Sequence, residues 1–152
     1  MRVQGLLAAV LVLGILAPPA MTAQTVPKSG FRAEMLEQID EAAKKLVSLA
    51  EAMPAEKYTW RPAEGIRSVS EVYMHVVTGN YFMGSFLGAK LPEGLDRNTE
   101  KKLTAKADVI LQLRNSIEYV RKIVLGKSDR EMDGTVKMYG GQTTTARNAL
   151  VT

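Results

Sequence analysis

Residues 68–86 read SVSEVYMHVVTGNYFMGSF and contain both a helix start and the one histidine of the chain. Ser68 and Glu71 have the spacing of a capping box, in which the serine hydroxyl accepts from a free backbone N–H and the glutamate reaches back to the serine N–H. The stretch therefore predicts a helix from Ser68 to about Phe86. Glycines and a proline follow it and predict a loop.

The histidine, His75, lies on a stripe of this helix that borders the predicted inward-facing apolar side. Its neighbours on the stripe are Val72, Thr78, Gly79 and Phe82. An imidazole there serves as a metal ligand, as a proton shuttle, or as a core residue satisfied by one hydrogen bond, and the spacing alone favours the core residue. The nearby carboxylate of Glu71 is already used by the cap. Gly79 leaves room for a partner group or lets two helices approach closely.

Apolar residues at three- and four-residue steps predict two further long helices. The first runs from Phe31 to Ala52 and ends before Pro54, because the residue that precedes a proline avoids helical geometry. The other spans about Thr104 to Leu125. Its apolar seam consists of Ile110, Leu113, Ile117, Val120 and Val124. Such a narrow seam is typical of helix bundles.

The C-terminal region predicts a fourth helix of about two turns. Gly140-Gly141 ends a polar loop, and Thr143 or Thr144 would cap a helix that continues to Thr152. No stretch of the chain predicts a β-hairpin, and no internal repeat is present. The four segments together predict an all-α fold, an antiparallel four-helix bundle whose fourth helix is incomplete.

The composition excludes several kinds of chemistry. The 152 residues include no cysteine and one histidine, and the formal net charge is +4. Without cysteine, the chain forms no thiolate nucleophile, disulfide framework or iron–sulfur cluster. One histidine does not supply the several imidazoles of a histidine-rich zinc site. The small, dispersed positive charge lacks the arginine-rich run of a nucleic-acid-binding protein, so we expect no nucleic acid partner.

The N-terminal residues have the layout of a secretory signal peptide. Arg2 gives a positive start, an apolar run follows over residues 6–17, and Ala23 is a small residue at a plausible cleavage point. We therefore predict a signal peptide over residues 1–23, a helical domain over residues 24–152, and an exported protein, periplasmic or secreted. The apolar run is short for a transmembrane span, so we expect none in the mature form. An uncleaved membrane anchor is the alternative.

Several short motifs, taken in order along the chain, resemble those of the DinB-like (DinB/YfiT-like) domain family. They are Trp60-Arg61-Pro62, Ser68-Val69-Ser70-Glu71, His75-Val76, Tyr81-Phe82, and Gly140-Gly141 before the threonines. Their order and spacing carry the resemblance, which extends over roughly residues 31–152. It implies a four-helix bundle, the same architecture that the apolar spacing predicts.

The resemblance also implies a divalent metal, zinc or nickel, bound by three histidines. His75 matches the histidine of the second helix, whereas the other two, four residues apart on the last helix, have no counterpart before Thr152. We therefore expect the domain to be C-terminally incomplete. Three explanations stay open: a sequence that is truncated or frameshifted relative to a longer gene, a shortened domain that has lost the metal, or a homodimer that swaps helices. Swapping would restore the packing but not the metal ligands.

Two hypotheses for the function follow. As the resemblance implies, a complete parent protein would be a metal-dependent hydrolase or a thiol-type transferase. His75 would then be a metal ligand, and Trp60, Tyr81 and Phe82 would be candidate pocket-wall residues, with core packing as the alternative for these aromatics. No catalytic residue is assigned, because Glu71 as a general base competes with its capping role. The second hypothesis is a non-catalytic helical module that binds an unknown small molecule or protein in a groove, without metal.

Overall fold

The structure is a computed structural model that describes residues 25–96 and 98–151. The predicted signal peptide, residues 1–23, lies outside the described residues. The helices are α1 (Phe31–Ala52), α2 (Val69–Phe86), α3 (Thr99–Lys102), α4 (Lys106–Gly126), α5 (Asp129–Met132) and α6 (Ala146–Val151). Two strands, β1 (Thr135–Lys137) and β2 (Thr143–Thr145), and two short 3-10 turns, Ala55–Lys57 and Tyr139–Gly141, complete the chain order.

The first and last turns of α1 show that it runs antiparallel to α4. The guanidinium of Arg32, at the start of α1, donates to the carbonyl oxygens of Val124 and Leu125 at 3.1 and 2.9 Å. At the other end, the Lys106 ammonium donates to the carbonyl oxygen of Glu51 at 2.6 Å. Both pairs join the start of one helix to the end of the other.

Helices α2 and α4, in contrast, run in the same direction. The amide of Asn80 donates to the Ser116 hydroxyl at 3.0 Å, and one turn later Gly84 lies against the Tyr119 ring. Residue numbers therefore rise together along the two helices. Residues 87–96 and 98–105, which we call the crossover, return along the bundle between them, and they bring α3 back to the first half of α2.

The long helices pack around two apolar clusters. The first is centred on Tyr58, Met74, Val77, Val109 and Leu113, and the second on Met35, Leu36, Leu87, Val124 and Met132. Helix α6 contributes Ala146 and Ala149 to the second cluster and contacts α2. The prediction of an all-α helical bundle is confirmed. On α4, however, Val109 and Ser116 are fully buried, whereas the predicted seam residues Ile110 and Ile117 are only partly buried.

The predicted start of α2 is confirmed in its detail. The backbone N–H of Ser68 donates to Oε2 of Glu71 at 2.7 Å, and the backbone N–H of Glu71 donates to the Ser68 hydroxyl at 3.3 Å. The predicted bounds of α1 are confirmed as well, and α4 begins and ends within two residues of its prediction. These boundaries follow from local rules of capping and apolar spacing.

The prediction that the chain has no β-hairpin is wrong for residues 135–145. Strands β1 and β2 pair antiparallel, with Thr135 opposite Thr145 and Lys137 opposite Thr143. Gly140 and Gly141 both have positive φ, 67° and 78°, so the chain reverses there and places the threonines beside β1. Strands of three residues are too short to show an alternating pattern in the sequence.

The predicted cap of the last helix is also wrong, because α6 begins at Ala146 and neither Thr143 nor Thr144 directly precedes it. Thr145 has that role instead, since its hydroxyl accepts from the backbone N–H of Asn148 at 3.1 Å. Within residues 25–96 and 98–151, no helix combines the length and apolarity that a bilayer span requires.

Candidate functional site

A groove of about 1150 Å³ lies along the exposed side of α2. The loop that precedes α2 contributes Arg61 and Arg67, and the crossover contributes Glu100 and Lys101. Helix α2 itself contributes Val72, His75, Thr78, Gly79, Phe82, Met83 and Phe86. We call this space the α2 groove. A Cβ atom built on Gly79 would meet nothing within 4 Å, so this glycine leaves open space rather than allowing a close helix contact.

His75 projects into the α2 groove with 56% of its side chain exposed. The interpretation as a core histidine is therefore wrong. Helix α2 buries the adjacent stripe of Tyr73, Met74, Val77 and Tyr81. The apolar face of the helix is thus rotated by about one residue from the stripe that contains His75.

The closest partner of His75 is a carboxylate from the crossover. Nδ1 of His75 lies 2.7 Å from Oε1 of Glu100, and the guanidinium Nε of Arg67 donates to Oε2 of the same glutamate at 2.7 Å. These three side chains form what we call the Arg67–Glu100–His75 cluster. Thr78 lies beside the cluster, with its hydroxyl oxygen 3.5 Å from Oε1 of Glu100.

The geometry of the cluster determines which ring nitrogen carries the proton. An ionised carboxylate only accepts hydrogen bonds, so a 2.7 Å contact requires a proton on Nδ1 of His75. The guanidinium of Arg67, 3.2 Å from Nδ1, only donates and therefore makes no hydrogen bond to that nitrogen in this tautomer. The neutral ring then has its lone pair on Nε2, which is able to accept a hydrogen bond or a proton, or to bind a metal.

Electrostatics keep the Glu100 carboxylate charged. Partial burial raises the pKa of Glu100, but the hydrogen bonds and charges of Arg67 and His75 outweigh it and hold that pKa below its ordinary value. The hydrogen bond between Arg67 and Glu100 also raises the pKa of Arg67. Glu100 is thus an anion at neutral pH, suited to orient His75 and to stabilise its protonated ring rather than to act as an acid.

Glu71, at the same end of the groove, is held in a structural role. The backbone N–H of Ser68 lowers the pKa of Glu71, and Arg61, 3.3 Å from Oε1, adds to this against the effect of burial. Oε2 accepts from Ser68 and Oε1 from Arg61, so both oxygens are engaged. The capping interpretation of Glu71 accounts for its position.

The candidate pocket-wall residues lie in three different places. Phe82 lines the α2 groove. Trp60 lies in the preceding loop with 55% of its surface exposed and is not among the groove residues. Tyr81 is buried in the first core cluster and packs edge-on against Tyr119, with 5.0 Å between ring centroids. The sequence spacing alone does not show that Phe82 lines the groove and Tyr81 packs in the core, because it does not show which stripe of α2 is buried.

Sequence reasoning missed Glu100 and Arg67. Glu100 lies 25 residues after His75, in a predicted loop, and belongs to a helix of only four residues. Arg67 precedes the helix cap and belongs to none of the family-like motifs. No local pattern connects either residue with His75, because the contact depends on the path of the crossover.

The described residues do not form a metal centre of the kind that the resemblance implies. Within residues 25–96 and 98–151, no group of three His, Cys, Asp or Glu side chains is placed to hold a metal ion. His75 supplies one imidazole, and the nearest carboxylate, Glu100, is engaged by Nδ1 and by Arg67. This donor set does not fit a three-ligand zinc or nickel site.

Comparison with known protein families identifies the family of the chain. A sequence model described as the DinB superfamily matches residues 38–152. No curated protein matches the chain.

Proposed function

Because the chain belongs to the DinB superfamily, we propose that it is a helical ligand-binding domain whose ligand lies in the α2 groove. The observation that carries this proposal is the Arg67–Glu100–His75 cluster at the wall of that groove. A half-exposed imidazole with a fixed tautomer is a specific hydrogen-bonding group, and it stands beside a largely apolar surface. Small-molecule sites combine these two properties, an apolar lining and a few placed polar groups.

The apolar part of the site comes mainly from α2. Phe82 and Phe86 line the groove beyond His75, and Tyr139 packs edge-on against Phe86, with 4.6 Å between ring centroids. The volume of about 1150 Å³ is slightly above the roughly 300–1,000 Å³ of most small-molecule sites, so the groove has room for a small organic molecule. In this arrangement the ligand places its apolar part against the aromatic rings.

His75 determines the orientation of the ligand in this proposal. Nε2 accepts a hydrogen bond from a hydroxyl, thiol or amide group of the ligand. If the ligand transfers that proton, the charged ring is stabilised by the ionised Glu100, whose Oε1 lies 2.7 Å from Nδ1. The described residues thus provide a binding site and a proton acceptor.

The neutral fluorescent probe N-phenyl-1-naphthylamine tests the proposal. We expect the full chain to bind the probe, and Gly79→Gln to weaken binding by about tenfold or more, since the added side chain occupies the groove. Ala42→Gln makes a comparable change at an exposed position of α1 and serves as the control. Equal affinity in the wild-type and Gly79→Gln proteins would contradict the proposal.

A second candidate is a metal-dependent hydrolase or thiol-type transferase. The arrangement of His75 favours it, because metal-binding histidines commonly donate their other N–H to a carboxylate. A bound metal would polarise a carbonyl group or lower the pKa of a bound water. The donor set of residues 25–96 and 98–151 does not fit such a centre. Stoichiometric zinc or nickel that is lost in His75→Ala would favour this candidate, and folded protein without metal would reject it.

We propose further that the protein is exported and acts in the periplasm or outside the cell. The proposal rests on the signal-like layout of residues 1–23, with Arg2 before the apolar run, and on the absence of cysteine. The size and N-terminus of the mature protein test it directly.

A further inference from the structure

Every acidic side chain of the α2 groove lining forms an ion pair. Each acid of the lining has a cation beside it: Glu71 lies 3.3 Å from Arg61, Glu100 2.7 Å from Arg67, and Asp96 2.8 Å from Lys102. These distances join a side-chain nitrogen to a carboxylate oxygen. The negative charge of the lining is therefore neutralised within the protein.

Lys101 is the cation left over. It lines the groove next to Glu100 and is exposed, and within residues 25–96 and 98–151 no carboxylate lies within ion-pair distance of it. Arg67 adds hydrogen-bonding capacity, because a guanidinium has five N–H donors and Glu100 engages one of them. With Lys102, which pairs with Asp96 from outside the lining, this region has four cations and three acids, so it carries one surplus positive charge and unused N–H donors.

The other end of the groove is apolar. Along α2, His75 and Thr78 lie near the charged end, whereas Phe82, Met83 and Phe86 lie farther along the helix. Eleven residues separate His75 from Phe86, which corresponds to about 16 Å of helix. A ligand that fills the groove must therefore be polar at one end and apolar over most of its length.

We propose that the ligand of the α2 groove is an amphiphilic anion, a molecule with an aryl or medium-length alkyl body and one carboxylate or sulfonate group. Its anionic group lies between Lys101 and Arg67, and its body extends along α2 past His75 toward Phe86. This inference rests on the proposed ligand-binding function and adds the chemical class of the ligand. Charge complementarity selects an anion, because a cation would meet Lys101 without a free carboxylate to pair with.

Two probes with the same aromatic skeleton separate the inference from the function on which it rests. N-phenyl-1-naphthylamine is neutral, and 8-anilinonaphthalene-1-sulfonate adds one sulfonate. We expect the full chain at low salt to bind the anionic probe about three- to tenfold more tightly, as one charge-assisted contact at a partly exposed site allows. Lys101→Gln should remove most of this preference, and added salt should reduce it. Lys122→Gln, at an exposed position of α4 outside the groove, is the control and should preserve it.

The results separate the inference about the anionic ligand from the ligand-binding function on which it rests. Equal affinity for the two probes, or a preference that Lys101→Gln leaves unchanged, would overturn the inference about the anion while the ligand-binding function stands. Failure to bind either probe, or binding that Gly79→Gln does not weaken, would overturn the ligand-binding function itself. Near-UV circular dichroism of each variant verifies that the measured protein is folded, since partly unfolded chains also bind such dyes.

Discussion

Nδ1 of His75 lies 2.7 Å from Oε1 of Glu100, although 25 residues separate them in the sequence. The contact makes the tautomer of the ring a property of the fold rather than of the residue. It also joins the crossover to α2 at the edge of the groove. Because His75 is the one histidine of the chain, imidazole measurements report on this contact without ambiguity.

The first prediction concerns that tautomer. In the neutral ring of the wild-type protein we expect the proton on Nδ1, and in Glu100→Ala we expect a shift toward the Nε2–H form, because the acceptor for Nδ1–H is lost. Nitrogen chemical shifts of the imidazole measure this in isotope-labelled protein. Glu93→Ala, an exposed position of the same crossover, should leave the wild-type pattern intact. A wild-type ring protonated mainly on Nε2 would contradict the hydrogen bond from Nδ1 of His75 to Glu100.

The second prediction concerns acid stability. The pKa of Glu100 lies below its ordinary value near 4.5 in the folded state, so the ionised group stabilises the fold above that value. This contribution should disappear as the pH falls through the lowered pKa. We expect Glu100→Gln to lose less stability than the wild-type protein between about pH 5 and pH 3 in urea unfolding. Parallel losses in the two proteins would contradict the lowered pKa.

The third prediction compares two glycines of α2. Alanine at Gly84 would place its Cβ against Tyr119 and Ile123, so we expect Gly84→Ala to destabilise the protein by roughly 1–3 kcal/mol. Gly79→Ala meets open space and should stabilise it by up to about 1 kcal/mol through helix propensity. Thermal or urea unfolding measures both. Effects of the same sign would be inconsistent with the different surroundings of the two positions.

The fourth prediction compares the two capping boxes. Ser68 is buried and begins a helix of 18 residues, whereas Ser128 is exposed and begins a helix of four. We expect Ser68→Ala to cost about 1–2 kcal/mol of unfolding free energy and Ser128→Ala less than about 1 kcal/mol. A larger loss from Ser128→Ala would mean that α5, not the start of α2, limits the stability of the bundle.

The fifth prediction concerns export. We expect the mature protein to begin at or near Gln24, as measured by intact mass of the exported fraction, because Ala23 is the small residue after the apolar run. Leu11→Arg should retain the protein in the cell by interrupting that run, whereas Lys28→Arg, beyond the cleavage point, should not. An uncleaved protein in the membrane fraction would support the anchor instead.

Local rules were sufficient for the long helices and insufficient for the site. The capping box at Ser68 and the apolar steps of α1 depend on residues within one or two turns, and the sequence predicted both. The contact of His75 with Glu100 depends on how the crossover returns along the bundle, and no local pattern encodes that path. The turn at Gly140 and Gly141 was visible as glycines, but its direction followed only from their positive φ.

The parallel course of α2 and α4 has a consequence for how binding could be detected. The crossover includes a helix of only four residues, and Glu100 of that helix bonds to His75 of α2 and to Arg67 of the preceding loop. A molecule that contacts both His75 and Lys101 would hold the crossover against α2. The backbone amides of the crossover should then exchange their hydrogens with solvent more slowly. Hydrogen exchange in this segment would therefore detect a ligand in the α2 groove, although the segment contributes few side chains to the groove.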